Sequence, residues 1–166
     1  MTRWLDDTEM LAWQGLLVVA NRVLPEVERS LKAHDLLAIH YHVFVALSAA
    51  PDRTLRLSEL ADMSNISQSR LTHRMRDLTA NGDVEVTVDP QDHRARNATL
   101  TAQGMARLER VAPIHVEDVR RLVFDALSAE QTAALADAMS SIAATACGHE
   151  QFLCTPERDA APAGRS

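Results

Sequence analysis

Residues 67–88, SQSRLTHRMRDLTANGDVEVTV, are the most informative segment of this chain. Ser67 can cap a helix, and Leu71, Met75 and Leu78 recur at steps of three and four, which predicts a helix over 67–80 with one apolar stripe. At 100° per residue, Ser69, Thr72, His73 and Arg76 fall on the opposite face, with Arg70 and Arg74 on its flanks. Asn81-Gly82-Asp83 then stops the helix. Val84, Val86 and Val88 alternate with Glu85 and Thr87, the period-2 signal of a short strand. Small polar residues allow a helix to approach closely, and arginines beside them can reach base edges or phosphates in a major groove. The plainer alternative is a solvated amphipathic helix, because arginine-bearing exposed faces are common.

Upstream, a short helix is expected over 58–63, capped by Ser58 and separated from the next by Ser64-Asn65-Ile66. Downstream, Asp89-Pro90-Gln91-Asp92-His93-Arg94 reads as a polar turn and 95–100 as a second strand, so one small hairpin follows the two helices. Helix, tight turn, helix and hairpin is the order of a winged helix-turn-helix.

Longer helices flank this unit. Trp13, Leu16, Leu17, Ala20, Leu24, Val27 and Leu31 predict one amphipathic helix over about 8–33, bent or broken near residue 24 by Pro25. A helix over 35–49, with Asp35 at its first turn, is apolar on most sides and therefore central. Thr101 caps a helix over 102–125 that Pro113 should kink, with Leu108, Val111, His115, Val119 and Leu122 on one face. Ser128-Ala129-Glu130-Gln131 reads as a capping box opening a last helix to about 147. The helices at 8–33 and 102–147 carry more apolar surface than a DNA-binding core of about 90 residues could cover, so they should pair across a two-fold axis.

Composition narrows the class. Of 166 residues, 46% are hydrophobic and 24% charged, as in ordinary globular proteins. No apolar run is long enough to cross a bilayer, so no membrane association is expected. The N-terminus lacks the pattern of an export signal, and two cysteines, Cys147 and Cys154, cannot build a disulfide framework. A cytoplasmic protein with reduced thiols is expected. The net charge of −6 argues against nucleic acid only in the sum. Residues 1–50 hold six acids against four bases, whereas Arg70, Arg74 and Arg76 face only Asp77 in their helix. Lys32 is the only lysine, and arginine is the better residue for bidentate contact with phosphate or guanine.

The run Leu57-Ser58-Glu59-Leu60-Ala61, the segment Ser67-Gln68-Ser69-Arg70-Leu71-Thr72-His73 with Leu78 and Gly82, and Asp89-Pro90-Gln91-Asp92-His93-Arg94-Ala95 resemble the MarR family of transcriptional regulators. The resemblance continues through Leu100-Thr101-Ala102-Gln103-Gly104 and the Ala112, Pro113, His115 segment, and covers about residues 8–147. It implies a mainly α fold with a small β-wing, divided into four parts. Residues 1–34 would be the N-terminal dimerisation helix, 35–100 the DNA-binding unit, 101–148 the C-terminal dimerisation helices and 149–166 a disordered tail. It implies a homodimeric repressor of a pseudo-palindromic operator in double-stranded DNA. The DNA-binding set would be Ser67, Gln68, Ser69, Arg70, Thr72, His73, Arg74 and Arg76, with Asp92, Arg94 and Arg96 from the wing.

Arg94 would lie near the minor groove, oriented by an ion pair with Asp92. Two departures from the family pattern bear on specificity: His73 and Val86 stand where many relatives carry arginine. A small aromatic or phenolic effector is implied between the dimerisation helices and the winged unit. Trp13, His40 and His115 would offer it one stacking surface and two groups able to carry positive charge. The alternative for all three is a place in the core.

No cofactor and no metal are expected. His40 and His42 diverge by about 200° on a helix and cannot share an ion. Convergence of either with His115, Glu26 or His34, as in some zinc-sensing relatives, is the metal alternative. The cysteines lack nearby basic residues that would activate a thiol. With no nucleophile elbow, phosphate loop or acid pair, an enzyme is not expected. The competing class is a small-molecule or metal sensor of the same fold with weak or lost DNA binding. The arginines at 70, 74, 76 and 94 argue against loss.

Overall fold

Pro25 sets the geometry of the N-terminal arm. The computed structural model, which describes residues 2–64 and 66–147, places α1 over Asp7–Val18 and α2 over Leu24–Lys32, joined by a π-helical turn at Val19–Val23. Proline donates no hydrogen bond and its ring crowds the carbonyl four residues back, so the chain widens there. The Leu24 N–H instead reaches the Val19 carbonyl. The expected bend near residue 24 is thus a π turn, and the helix over 8–33 is two helices. Asp6 and Glu9 close a capping box at the start of α1.

The central helix, α3, runs Ala38–Ala49 and buries His40, Tyr41, Val43, Phe44, Ala46 and Leu47. Its start at residue 35 is corrected. Asp35 sits at φ +57° in the turn after α2, where the Leu36 N–H returns to the Leu31 carbonyl. A left-handed residue cannot open a helix.

After a 3₁₀ turn at Pro51–Arg53 comes a strand absent from the expected hairpin, β1 at Thr54–Arg56. It pairs antiparallel with β3, Arg96–Leu100, which pairs on its other side with β2, Val84–Val88. The sheet order is β1-β3-β2. Helix α4 spans Leu57–Met63, and the expected Ser58 cap is replaced by Arg56, whose N–H donates to the Glu59 carboxylate at 3.2 Å. Helix α5 spans Gln68–Ala80 with Ser67 as its N-cap. Gly82, at φ +73°, reverses the chain into β2.

Thr101 caps α6, Ala102–Leu122, which passes unbroken through Pro113 and ends before a 3₁₀ turn at Phe124–Ala126 rather than at 125. Ser128 and Gln131 form the capping box of α7, Ala129–Cys147. The expected tail at 149–166, with Cys154, lies outside the described residues.

The core joins α3, α4, α5, the sheet and the first half of α6 through Phe44, Leu47, Leu60, Leu71, Leu78 and Leu108. Each such side chain contributes roughly 1.5–3 kcal/mol by leaving water. By contrast α1 buries no residue at all: Trp13 and Ile142 of α7 are each 51% exposed. Apolar side chains of the flanking helices are therefore still open to solvent in one chain. No helix among the described residues is long and apolar enough to cross a membrane.

Candidate nucleic-acid interface

The buried stripe of α5 turns its other face outward. With Leu71, Met75 and Leu78 inside, Ser67, Gln68, Ser69, Arg70, Thr72, His73, Arg74 and Arg76 are all exposed. Their local duties differ. The Ser67 hydroxyl accepts from the Arg70 N–H at 3.4 Å and meets the Ser69 hydroxyl at 3.1 Å. The Thr72 hydroxyl donates to the Gln68 carbonyl at 2.8 Å. Among the described residues no protein group holds the guanidinium of Arg70, Arg74 or Arg76. Cationic groups left without protein partners on a helix of small polar residues form an anion-facing surface.

The wing is built around Asp89 rather than Asp92. Asp89 is buried, and its carboxylate accepts from the N–H groups of Gln91 and Asp92 at 2.8 and 3.0 Å and from Asn97 Nδ2 at 3.2 Å. Arg56 Nη2 stands 3.2 Å away. These donors, Gln91 first, hold the Asp89 carboxyl below its ordinary pKa. Asp92 does not pair with the Arg94 guanidinium; its Oδ1 accepts the Arg94 backbone N–H at 3.0 Å and shapes the turn. Arg94 is exposed at the tip. Arg96 donates to the carbonyls of His93 and Ala95, both at 3.3 Å, and so braces the turn from below.

The three residues expected around an effector face different surroundings. Trp13 is half-exposed on α1. His40 is buried beside α5, its Nε2 without a hydrogen-bond partner among the described residues and 4.0 Å from Asp77 Oδ2. His115 lies on α6 with its ring 4.3 Å from that of Tyr41, and its Nδ1 is buried without a partner among the described residues. His40 faces Asp77 of α5, whereas His115 packs on Tyr41, the next residue of α3 and about 100° further round it, so the two histidines have different neighbours. Desolvation lowers both pKa values, with His42 adding to the effect at His115. Among the described residues no three His, Cys, Asp or Glu side chains are placed to hold a metal ion.

Sequence reasoning missed Asp89, Arg56, Tyr41 and the ion pair between buried Asp83 and Arg107. Asp-Pro at a turn was a usable signal for Asp89, since an Asx side chain there caps its own turn. The partners of the others lie too far along the chain to be seen in a local pattern.

The chain is 30% identical over 115 residues to the HTH-type transcriptional repressor YetL of Bacillus subtilis, covering 69% of each protein. It is similar in structure to AbsC, a MarR family transcriptional regulator from Streptomyces coelicolor, with TM-score 0.84 and 34% identity over 89% of this chain and 100% of that one. A second Streptomyces coelicolor regulator of that family, Sco3205 in complex with DNA, gives TM-score 0.84 and 36% identity over 87% and 91%. No family model matches the chain. Relatives of this identity and coverage, on a winged helix-turn-helix between two helical arms, establish that the chain belongs to the MarR family of transcriptional regulators.

Proposed function

We propose that this chain is a homodimeric DNA-binding repressor that reads a pseudo-palindromic operator with α5 in the major groove and Arg94 of the wing in the minor groove. The observation that carries this reading is the outward face of α5, where Arg70, Arg74 and Arg76 flank Ser69, Thr72 and His73 without protein partners among the described residues. Sco3205, at 36% identity, is described in complex with DNA, which supports the same partner here. The chain is acidic overall, so binding rests on these local arginines and falls steeply with salt. Selection from random duplex DNA at stated salt tests it. Arg94→Ala should weaken binding to most sequences, whereas His73→Ala or Arg76→Ala should relax base preference. Failure to enrich any duplex, or equal losses on selected and random DNA for all three variants, refutes the assignment.

Dimerisation is supported by the open apolar groove between the two arms. Ala12, Leu16 and Val19 face Leu135, Met139 and Ile142 across a cavity of about 490 Å³. A second copy of the same two arms would fill it.

A small aromatic or phenolic effector is favoured by a separate observation, the buried Nδ1 of His115, which lies beside the Tyr41 ring and has no partner among the described residues. A ligand acceptor there would satisfy it. Such a ligand regulates only if it favours one of two dimer geometries. A DNA-release screen with phenolic and aromatic carboxylates, on wild type, His115→Ala and His40→Ala, tests this. Release that His115→Ala abolishes and His40→Ala retains supports the Tyr41–His115 site. Release unaffected by either variant places the effector elsewhere.

A further inference from the structure

The end of the recognition helix and the start of the long helix α6 form one joint. Thr101 Oγ1 donates to the Gly82 and Asp83 carbonyls at 2.7 and 3.0 Å, and Gln103 Nε2 donates to the Asn81 carbonyl at 2.5 Å. Gly104 packs so tightly that a Cβ there would lie 2.1 Å from the Asp83 oxygen. One turn further along α6, Arg107 Nη1 donates to Asp83 Oδ2 at 2.6 Å. Asp83 is 1% exposed, and its Oδ1 has no partner among the described residues.

Arg107 also reaches a third element. Its Nη2 donates to the carbonyls of His34 and Asp35, at 3.2 and 2.8 Å, in the turn just past α2. That is the negative end of the α2 dipole, where a guanidinium is favoured. A planar guanidinium serves the carboxylate and the carbonyls from separate nitrogens in one fixed fork, whereas a lysine ammonium is a compact point charge without that geometry. Arg107 therefore ties α6 and the end of α2, both continuous with the dimerisation arms, to the residue that ends the turn after α5.

We propose that Arg107, through Asp83, is the positioning residue that fixes the separation of the two recognition helices, and so the spacing of half-sites the dimer accepts. The role rests on the dimeric DNA-binding reading above. Half-sites of a helix-turn-helix dimer lie about 34–36 Å apart, and one base pair shifts them by about 3.4 Å. A rigid joint rejects that shift; a loosened one follows it. Arg107 lies off the exposed face of α5, so this effect is separable from base reading.

The duplex that wild type selects from a random pool serves as the probe, beside versions with one base pair added or removed between half-sites, and a single half-site. Wild type, R107M and R107K are titrated on each, and sedimentation reports assembly. Wild type should lose about tenfold or more on the shifted duplexes, R107M less than about threefold and R107K an intermediate amount. Both variants should remain dimers and bind the single half-site within about twofold of wild type, since the reading face is untouched. R107K keeps a charge beside Asp83 and decides the matter if R107M does not fold. A wild-type penalty in the variants, or an equal loss on half-site and full site, overturns the role of Arg107. Wild type that sediments as a monomer and ignores spacing overturns the dimeric reading, and this role with it.

Discussion

The guanidinium of Arg56, at the end of β1, stands 3.2 Å from the carboxylate of Asp89, the residue after β2. The same carboxylate holds the Gln91 and Asp92 amides and the Asn97 side chain. One acidic group thus joins the strand before α4 to the turn that carries Arg94. Wing posture and helix-turn-helix are coupled through it.

Asp89→Asn keeps the shape and removes the charge that attracts Arg56 and shortens the amide contacts. The turn should loosen, seen as faster amide exchange over 91–95, and DNA affinity should fall by about three- to tenfold as the wing loses preorganisation. A pKa held below the ordinary value means this contribution is present above the ordinary carboxylate range and is lost as pH falls through the folded value, below about pH 4. Unchanged exchange in Asp89→Asn would show that the β2–β3 pairing alone sets the turn.

Helix α5 was legible because three local signals agree: the Ser67 cap, the Leu71, Met75, Leu78 stripe and the Gly82 stop. The wing was legible from the alternation of Val84, Val86 and Val88. The third strand was not, since Thr54–Arg56 is three residues with no period, and its partners, such as Thr99, are 45 positions away. Pro25 marked a disturbance but not its kind, because a π turn and a kink have the same sequence cause. Asp35 misled because an acidic residue before an apolar run reads as a cap, while here it takes the left-handed conformation. The candidate base-reading residues followed from helical period and side-chain chemistry. The groups behind them, buried Asp83 and Asp89 and partly buried Arg107, act through contacts made only on folding.

Gly104→Ala tests the tightness of the joint between α5 and α6. Helix propensity alone favours Ala over Gly by about 1 kcal/mol. The added Cβ, however, would lie 2.1 Å from the Asp83 oxygen and 2.7 Å from Leu100 Cδ1. Backbone cannot retreat as a flexible side chain can, so a net destabilisation of about 1–3 kcal/mol is expected. Denaturant titration reads it. A variant as stable as wild type would show that α6 slides freely on the turn.

Buried His40 and partly buried His115 predict acid sensitivity well above the carboxylate range. Desolvation, the largest cause at both, lowers their folded pKa values below the ordinary 6.5. At His40 the arginines 74 and 107 act in the same direction, against Asp77 and Asp83. The unfolded chain then takes up protons first, so stability is complete above about pH 6.5 and declines as pH falls through it. The melting midpoint at pH 5.5 should lie a few degrees below that at pH 7.5. His40→Gln should flatten part of this slope. A slope unchanged by His40→Gln together with His115→Gln would assign the acid sensitivity to other groups.

The open groove between the arms predicts how assembly fails. Leu16 and Ile142 line opposite walls of the cavity, and α1 has no buried residue in a single chain. A carboxylate placed on that wall would be taken out of water without a partner when a second copy docks, which an association of apolar faces does not tolerate. Ile142→Asp should therefore sediment as a monomer at micromolar concentration, while the winged unit, whose core lies on α3 to α6, stays folded by circular dichroism. Affinity for a two-half-site duplex should drop by about a hundredfold or more as the second contact becomes intermolecular, and single half-site binding should remain. A dimeric Ile142→Asp protein with full operator affinity would move the interface away from this groove.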